Sequence, residues 1–149
     1  MIELKNVSVS EKAGLQSLNN YSLIVRNGEF LQLERRLGES VISIVLGFTP
    51  VDEGFVCFDG MPLTESSAFF LRKMIAYVPC PDGFEKVDDR GRKQLEMVAE
   101  ALKSDAEIIL CVDPFSHQSA ETARSVMTSL RQKADKGSVV IVASDWKDL

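Results

Sequence analysis

"FLQLERRLGESVISIVLG", residues 30–47, runs from one kind of pattern directly into another. Glu29 to Leu33 is strand-like, while Ser40 to Leu46 reads as a short, mostly buried helix. Between them lies "LERRLGES", residues 33–40, in the slot that a phosphate-binding loop of the form G-x-x-x-x-G-K-[ST] would fill. Gly38 and Ser40 match that pattern. Leu33 stands where the first glycine belongs, and Glu39 stands where the lysine belongs.

The segments on either side decide the fold class. Upstream, Ile2, Leu4, Val7 and Val9 read as a half-buried strand with one irregular step, and Leu23 to Val25 continues the β character. Asn27-Gly28 is expected to make a hairpin turn into Glu29 to Leu33. Downstream, Phe55 to Phe58 forms a fourth strand, ended by Asp59-Gly60. Ile75 to Val78, Ile108 to Val112 and Val139 to Ala143 are short, continuous and rich in β-branched residues. Such runs suit central parallel strands covered on both faces. Helical stripes lie between them, with Leu95, Val98, Ala99 and Leu102 on one and Ala123, Val126, Met127, Leu130 and Ala134 on another. The order predicts one α/β domain over residues 1–149, β-rich at its N-terminal end and then β-α-β-α-β.

Composition excludes several classes. The chain has 149 residues, 45% of them apolar, and a net charge of −5. That suits one well-filled core and offers no basic stripe for nucleic acid. Cys57, Cys80 and Cys111 are odd in number and widely spaced, which fits neither a disulfide framework nor a zinc site. No run is long enough to span a bilayer and the N-terminus lacks a signal-peptide pattern, so a cytoplasmic protein that does not cross the membrane is expected.

In their order these segments resemble the nucleotide-binding domain of ABC transporters nearly from end to end. "MIELKNVSVS" looks like the opening strand of that family, and "LNNYSLIVRNGEFLQL" like the approach to its phosphate loop. "GFTPVDEGFVCFDGMPL" is similar to the segment after the first helix. "RKMIAYVPC" resembles the strand before the Q-loop, "ALKSDAEIILCVDPFS" the Walker B stretch, and "KGSVVIVASD" the strand before the switch histidine. The resemblance implies a P-loop NTPase-like core of the RecA type with an antiparallel β part. It also implies that a helical subdomain is missing, since only residues 81–89 separate Cys80 from Arg90, and that a C-terminal region is missing after Leu149.

The family's chemical positions carry different residues here. Glu11 stands where an aromatic would stack on adenine, and Glu39 sets an anion beside the expected phosphates. Ser40 keeps the hydroxyl that would hold Mg²⁺, though a helix-terminal hydroxyl is its simpler role. Arg35 and Arg36 flank the loop in what reads as a solvated mixed-charge turn. At Walker B, Asp113 aligns either with the catalytic glutamate, leaving Val112 at the metal-binding aspartate, or with that aspartate, leaving Pro114 at the glutamate. Cys80 replaces the Q-loop glutamine, Ser144 the switch histidine and Ser119 the D-loop aspartate. "DDRGR", residues 88–92, replaces the signature motif and keeps only Gly91, with Asp88 and Asp89 resembling helix caps. His117 is expected to be an exposed loop residue.

The expectation is therefore a non-hydrolysing, ABC-type binding, regulatory or scaffold domain. Asp113 would be a vestigial acid, and Gly38, Glu39 and Ser40 the vestige of a cofactor loop. No cofactor and no metal are expected. The expected partners are another ABC ATPase subunit, a permease-like membrane protein that would bring the chain to the inner face of the membrane, or a second copy. Exposed apolar residues such as Phe69, Phe70, Phe84 and Phe115 are candidates for a contact surface. The alternative is a minimal ATP-binding protein that uses ATP and Mg²⁺.

Overall fold

The computed structural model describes residues 1–12, 14–81 and 89–148. Its elements run β1 (Ile2–Val9), β2 (Leu18–Val25), β3 (Phe30–Leu33), α1 (Arg35–Val45), β4 (Glu53–Phe58) and β5 (Met61–Pro62). They continue with α2 (Glu65–Arg72), β6 (Ile75–Val78), α3 (Arg90–Lys103), β7 (Ile108–Val112), α4 (Ala120–Asp135) and β8 (Val139–Ala143). The strands form two four-stranded sheets, one ordered β2-β1-β4-β5 and the other β3-β8-β7-β6.

The first sheet is antiparallel. Ile2, Leu4, Val7 and Val9 all face the core, and the irregular step between them is a bulge at Lys5 and Asn6, where Asn6 adopts φ +51°. Gly54 receives that bulge. It lies at φ +82°, and a Cβ there would come within 2.3 Å of the Asn6 carbonyl oxygen. The tight hairpin lies at Asp59-Gly60, between β4 and β5, where both residues have positive φ as a type I′ turn requires. Asn27-Gly28, by contrast, is not a hairpin. β2 pairs with β1 while β3 pairs in parallel with β8, so this turn carries the chain from one sheet to the other. The Gly28 amide donates to the Ser138 carbonyl at 3.1 Å and so ties the crossing to the second sheet.

The second sheet is parallel throughout. β7 and β8 are buried along their whole length, as their unbroken apolar runs predict. Alternate residues serve opposite faces. Ile108, Leu110, Val139 and Ile141 pack toward the first sheet, and Ile109, Cys111, Val140 and Val142 pack toward α3 and α4. β6 departs from expectation, being an edge strand rather than a central one. Tyr77 is accordingly exposed, and Met74 and Ile75 are only half-buried.

α1 fills the space between the sheets, burying Val41, Ile42, Ile44, Val45 and Leu46. Each such side chain contributes about 1.5–3 kcal/mol. The helix begins at Arg35 rather than Ser40, so Arg35 and Arg36 belong to its first turn and not to a solvated loop. α2 is not apparent in the apolar pattern because it buries only Ala68 and Leu71; a Thr64–Ser67 capping box starts it. α3 is rotated from the expected stripe, burying Gln94, Val98 and Ala101 and leaving Leu95 exposed. α4 buries Ala123, Val126, Leu130 and Ala134 as read, with Met127 at the edge of the stripe. Phe69 and Phe70 are exposed as expected, whereas Phe115 is only 2% exposed and stacks on Trp146 with centroids 5.1 Å apart. Phe84 and Asp88 lie outside the described residues. No described helix is long and apolar enough to cross a membrane.

Gly38 owes its place to packing. A Cβ on it would sit 2.4 Å from Ala143 Cβ and 2.8 Å from Ala143 Cα, so only glycine lets α1 rest on β8. Alanine is the better helix former by about 1 kcal/mol, yet the clash with β8 outweighs this. Gly38→Ala is expected to destabilise the fold by about 1–3 kcal/mol in urea denaturation. Burial pushes the Cys111 thiol from its ordinary value of 9.0 up to about 12, which cuts its thiolate fraction at pH 8 by about a thousandfold. Alkylation of the native protein at pH 8 should therefore modify Cys57 and Cys80 and reach Cys111 only after unfolding, as peptide mass mapping will show.

Candidate functional site

Three of the residues that the resemblance marks, Glu39, Asp113 and Ser144, come together where α1 begins, at the C-terminal ends of β3, β7 and β8. Glu34 precedes the helix and makes no side-chain cap. The Gly38 amide already donates to the Glu34 carbonyl at 2.7 Å, so the stretch that aligns with a phosphate loop is wound into helix. A helix N-terminus attracts anions through its free N–H groups. Here the first of them is engaged: the Arg35 N–H donates to Asp145 Oδ1 at 3.0 Å, from the segment that follows β8.

The Arg35 side chain lies between two carboxylates. Nε donates to Glu39 Oε1 and Nη1 to Asp113 Oδ2, both at 2.8 Å. The Glu39 hydrogen bond is the main influence holding the guanidinium charged; burial opposes it, and the charges of Asp113, Cys80 and Glu39 reinforce it. Asp113 is fixed from its other side as well, since Ser144 Oγ donates to Oδ1 at 3.0 Å and accepts from the Trp146 N–H. Both carboxylate oxygens of Asp113 are thus engaged inside the fold.

Asp113 also holds a backbone conformation, φ +46°, that few non-glycine residues adopt. Three contacts stabilise it. Its N–H donates to the Ala143 carbonyl at 2.7 Å, and its own carbonyl accepts from the Ser116 N–H at 3.3 Å and from Gln94 Nε2 at 2.9 Å. Gln94 is fully buried and fully partnered. Its amide nitrogen also donates to Ser116 Oγ, and its oxygen accepts from the His117 N–H and from Gln118 Nε2. This buried glutamine and Asp145 are not apparent as part of a site from the sequence, whereas Arg35 is apparent there only as a stand-in for the missing loop lysine, not as the partner of Glu39 and Asp113. The Gln94 position is the one visible trace, as a polar residue next to the α3 stripe.

The remaining expected positions have structural occupations. Ser40 is not at the helix terminus. It is buried inside α1 and donates to the Gln16 carbonyl at 2.8 Å. Gly91 is pressed against the following loop, where a Cβ would meet the His117 carbonyl oxygen at 2.9 Å. His117 itself is half-buried rather than an exposed loop residue. Ser119 caps α4 by accepting the Thr122 N–H at 3.2 Å. Asp89 precedes α3 without a side-chain cap bond, and its carboxylate instead lies 3.5 Å from Arg92. Glu11 is exposed. Beside the charged cluster runs a groove of about 510 Å³, lined by Leu15, Ile42, Tyr77, Cys80, Arg35 and Glu39. Tyr77 keeps 40% of its surface exposed, and partial burial first, then Glu39 and Cys80, push its phenol up.

This architecture is found in solved structures. The ATP-binding cassette MJ0796, a dimer bound to ADP and Pi, is 20% identical and superposes with a TM-score of 0.76 over 98% of this chain and 88% of its own. An ATP-binding subunit of an ABC transporter is 15% identical, with a TM-score of 0.75 over 96% and 78%. cbiO1 from Clostridium perfringens, part of the ABC transporter complex cbiONQ, is 12% identical with a TM-score of 0.68 over 97% and 78%. No family model matches the sequence. No curated protein matches it either. The chain therefore has the fold of an ABC transporter ATP-binding domain.

Removing Arg35 tests the cluster. Asp113 is 14% exposed and Arg35 34%, so the pair lies between a solvated surface bridge and a fully buried one. Arg35→Met should cost about 1–2 kcal/mol in urea denaturation. Adding Asp113→Asn to that variant should cost less than it does in the wild type, because the carboxylate no longer has a guanidinium to lose.

Proposed function

We propose that this is a non-hydrolysing ABC-type domain that serves as a binding, regulatory or scaffold subunit. One observation carries the reading: helix α1 starts at Arg35, and Arg35 bridges Glu39 and Asp113 across the place where a nucleotide's phosphates would be expected. A phosphate cradle needs several backbone N–H groups free to converge on an anion. Here the Gly38 N–H closes an intrahelical bond and the Arg35 N–H serves Asp145. A triphosphate would also meet Glu39, Asp113 and Asp145. Like charges about 4 Å apart repel by about 4 kcal/mol at the effective dielectric of a protein surface.

Magnesium fares no better in this reading. The Ser40 hydroxyl is committed to Gln16, and both oxygens of Asp113 are engaged. Ser40 and Asp113 so engaged supply no general base aimed at a water, so no hydrolytic step is assigned to them. What remains is a rigid folded surface. MJ0796 is dimeric and cbiO1 belongs to a transporter complex. A partner of the same kind, an ABC ATPase or a permease-like membrane protein, is the one we assign to this chain. A second copy is the remaining option.

Isothermal titration with Mg-ATP tests the reading. No heat and no rise in melting temperature are expected at millimolar nucleotide, since any real binding raises stability by mass action. Saturable binding with turnover abolished by Asp113→Ala would overturn it in favour of a minimal ATPase. Glu39→Lys should not restore binding by itself, because the backbone it would act from is already helix.

A further inference from the structure

A cleft of about 420 Å³ opens on the side of the molecule formed by the C-terminal end of α1, the segment that follows it, β4 and α2. Its buried lining is Ile44, Val56 and Ala68, with Leu63 half-buried beside them. Such a volume lies within the range of small-molecule sites, and an apolar lining with few polar groups is their usual chemistry. The lining here is mixed, close to half polar, and two hydroxyls and two charges are its polar side-chain groups. The Thr49 hydroxyl shares a hydrogen bond with Ser43 Oγ at 2.7 Å, and the Thr64 hydroxyl accepts the Ser67 N–H in the α2 cap. Two charges are left on the lining, Glu65 in the first turn of α2 and Arg72 in the last.

Arg72 is set up as an anion receptor. Its guanidinium lies over the Phe48 ring, 5.6 Å from the centroid, which restrains it at the mouth of the cleft. Among the described residues no carboxylate pairs with it. Glu65 and Arg72 are seven positions apart, about 10 Å along the helix axis. A ligand with an anion at each end would bring one of them against Glu65.

From this geometry we propose that the cleft binds a small monoanion with an apolar body, such as a medium-chain carboxylate, with its tail over Val51, Phe55 and Leu63 and its head paired with Arg72. This site is separate from the Arg35 cluster and owes nothing to nucleotide. The planar, two-pronged guanidinium suits a carboxylate, and the apolar side chains of the lining suit a short hydrocarbon chain.

Octanoate is the probe, measured on the full chain by titration calorimetry and by methyl chemical-shift changes, with 1-octanol as the uncharged control. One saturable site of about millimolar affinity is expected, as befits a ligand of this size, with shifts at the methyl groups of Val51 and Leu63. Arg72→Gln, an exposed change that leaves the fold intact, should weaken octanoate about tenfold and leave 1-octanol unaffected. Ala68→Phe should fill the cleft and abolish both, with the melting curve reporting that the variant is folded. The proposal is overturned if octanoate fails to saturate by about 10 mM, if it binds Arg72→Gln as tightly as the wild type, or if its shifts map elsewhere.

Discussion

One close contact between layers, helix α1 on strand β8, places much of the rest of this molecule. α1 lies between an antiparallel and a parallel sheet and must rest on β8, where Gly38 meets Ala143 with no room for a side chain. Four aliphatic residues of the same helix, with Leu46 at its C-cap, fill the space between the sheets. Since interiors pack as densely as organic crystals, a helix held on two sides has little freedom to shift. Its axis therefore fixes where β3 ends, where Arg35 starts, and which side chains can reach the C-terminal ends of β7 and β8.

From that placement the charged cluster follows. With the helix beginning directly after Glu34, Arg35 and Glu39 share a face one turn apart, and that face looks onto Asp113. The chain after β8 then brings Ser144 to Asp113 and Asp145 to the helix start. Contacts that an ABC-type ATPase would make to its nucleotide are replaced, in our reading, by contacts the polypeptide makes to itself. Such internal partners come with the fold and need no association step, which makes them hard for a dissolved ligand to displace.

Much of this was written locally in the sequence. β7, β8 and α4 were legible because unbroken β-branched runs and a regular apolar stripe report burial without reference to the rest of the chain. What escaped depended on distant partners. The start of α1 has no capping side chain and is completed by Asp145, 110 positions away. α2 buries just two residues and shows its aromatics to solvent, so periodicity was silent and only Thr64-x-x-Ser67 marked it. α3 was misphased because a buried glutamine took the inner position that the pattern gives to Leu95, affordable only where four hydrogen-bonding partners meet it. Asn27-Gly28 has the letters of a hairpin, yet the pairing of β3 with β8 overrode them. The site positions were found one by one from the resemblance. That Arg35 joins two of them was a matter of three dimensions.

The glycine at position 38 has a wider implication for how chains of this architecture are sorted. A survey that awards a mark for every surviving motif letter would credit Gly38, Ser40 and Gly91 toward nucleotide chemistry. Each of the three also has a place in the polypeptide's own geometry: Ala143 against the first, the Gln16 carbonyl on the second, the His117 carbonyl against the third. Where a scaffold and a reaction ask for the same small residue at the same point, the letter by itself carries no vote.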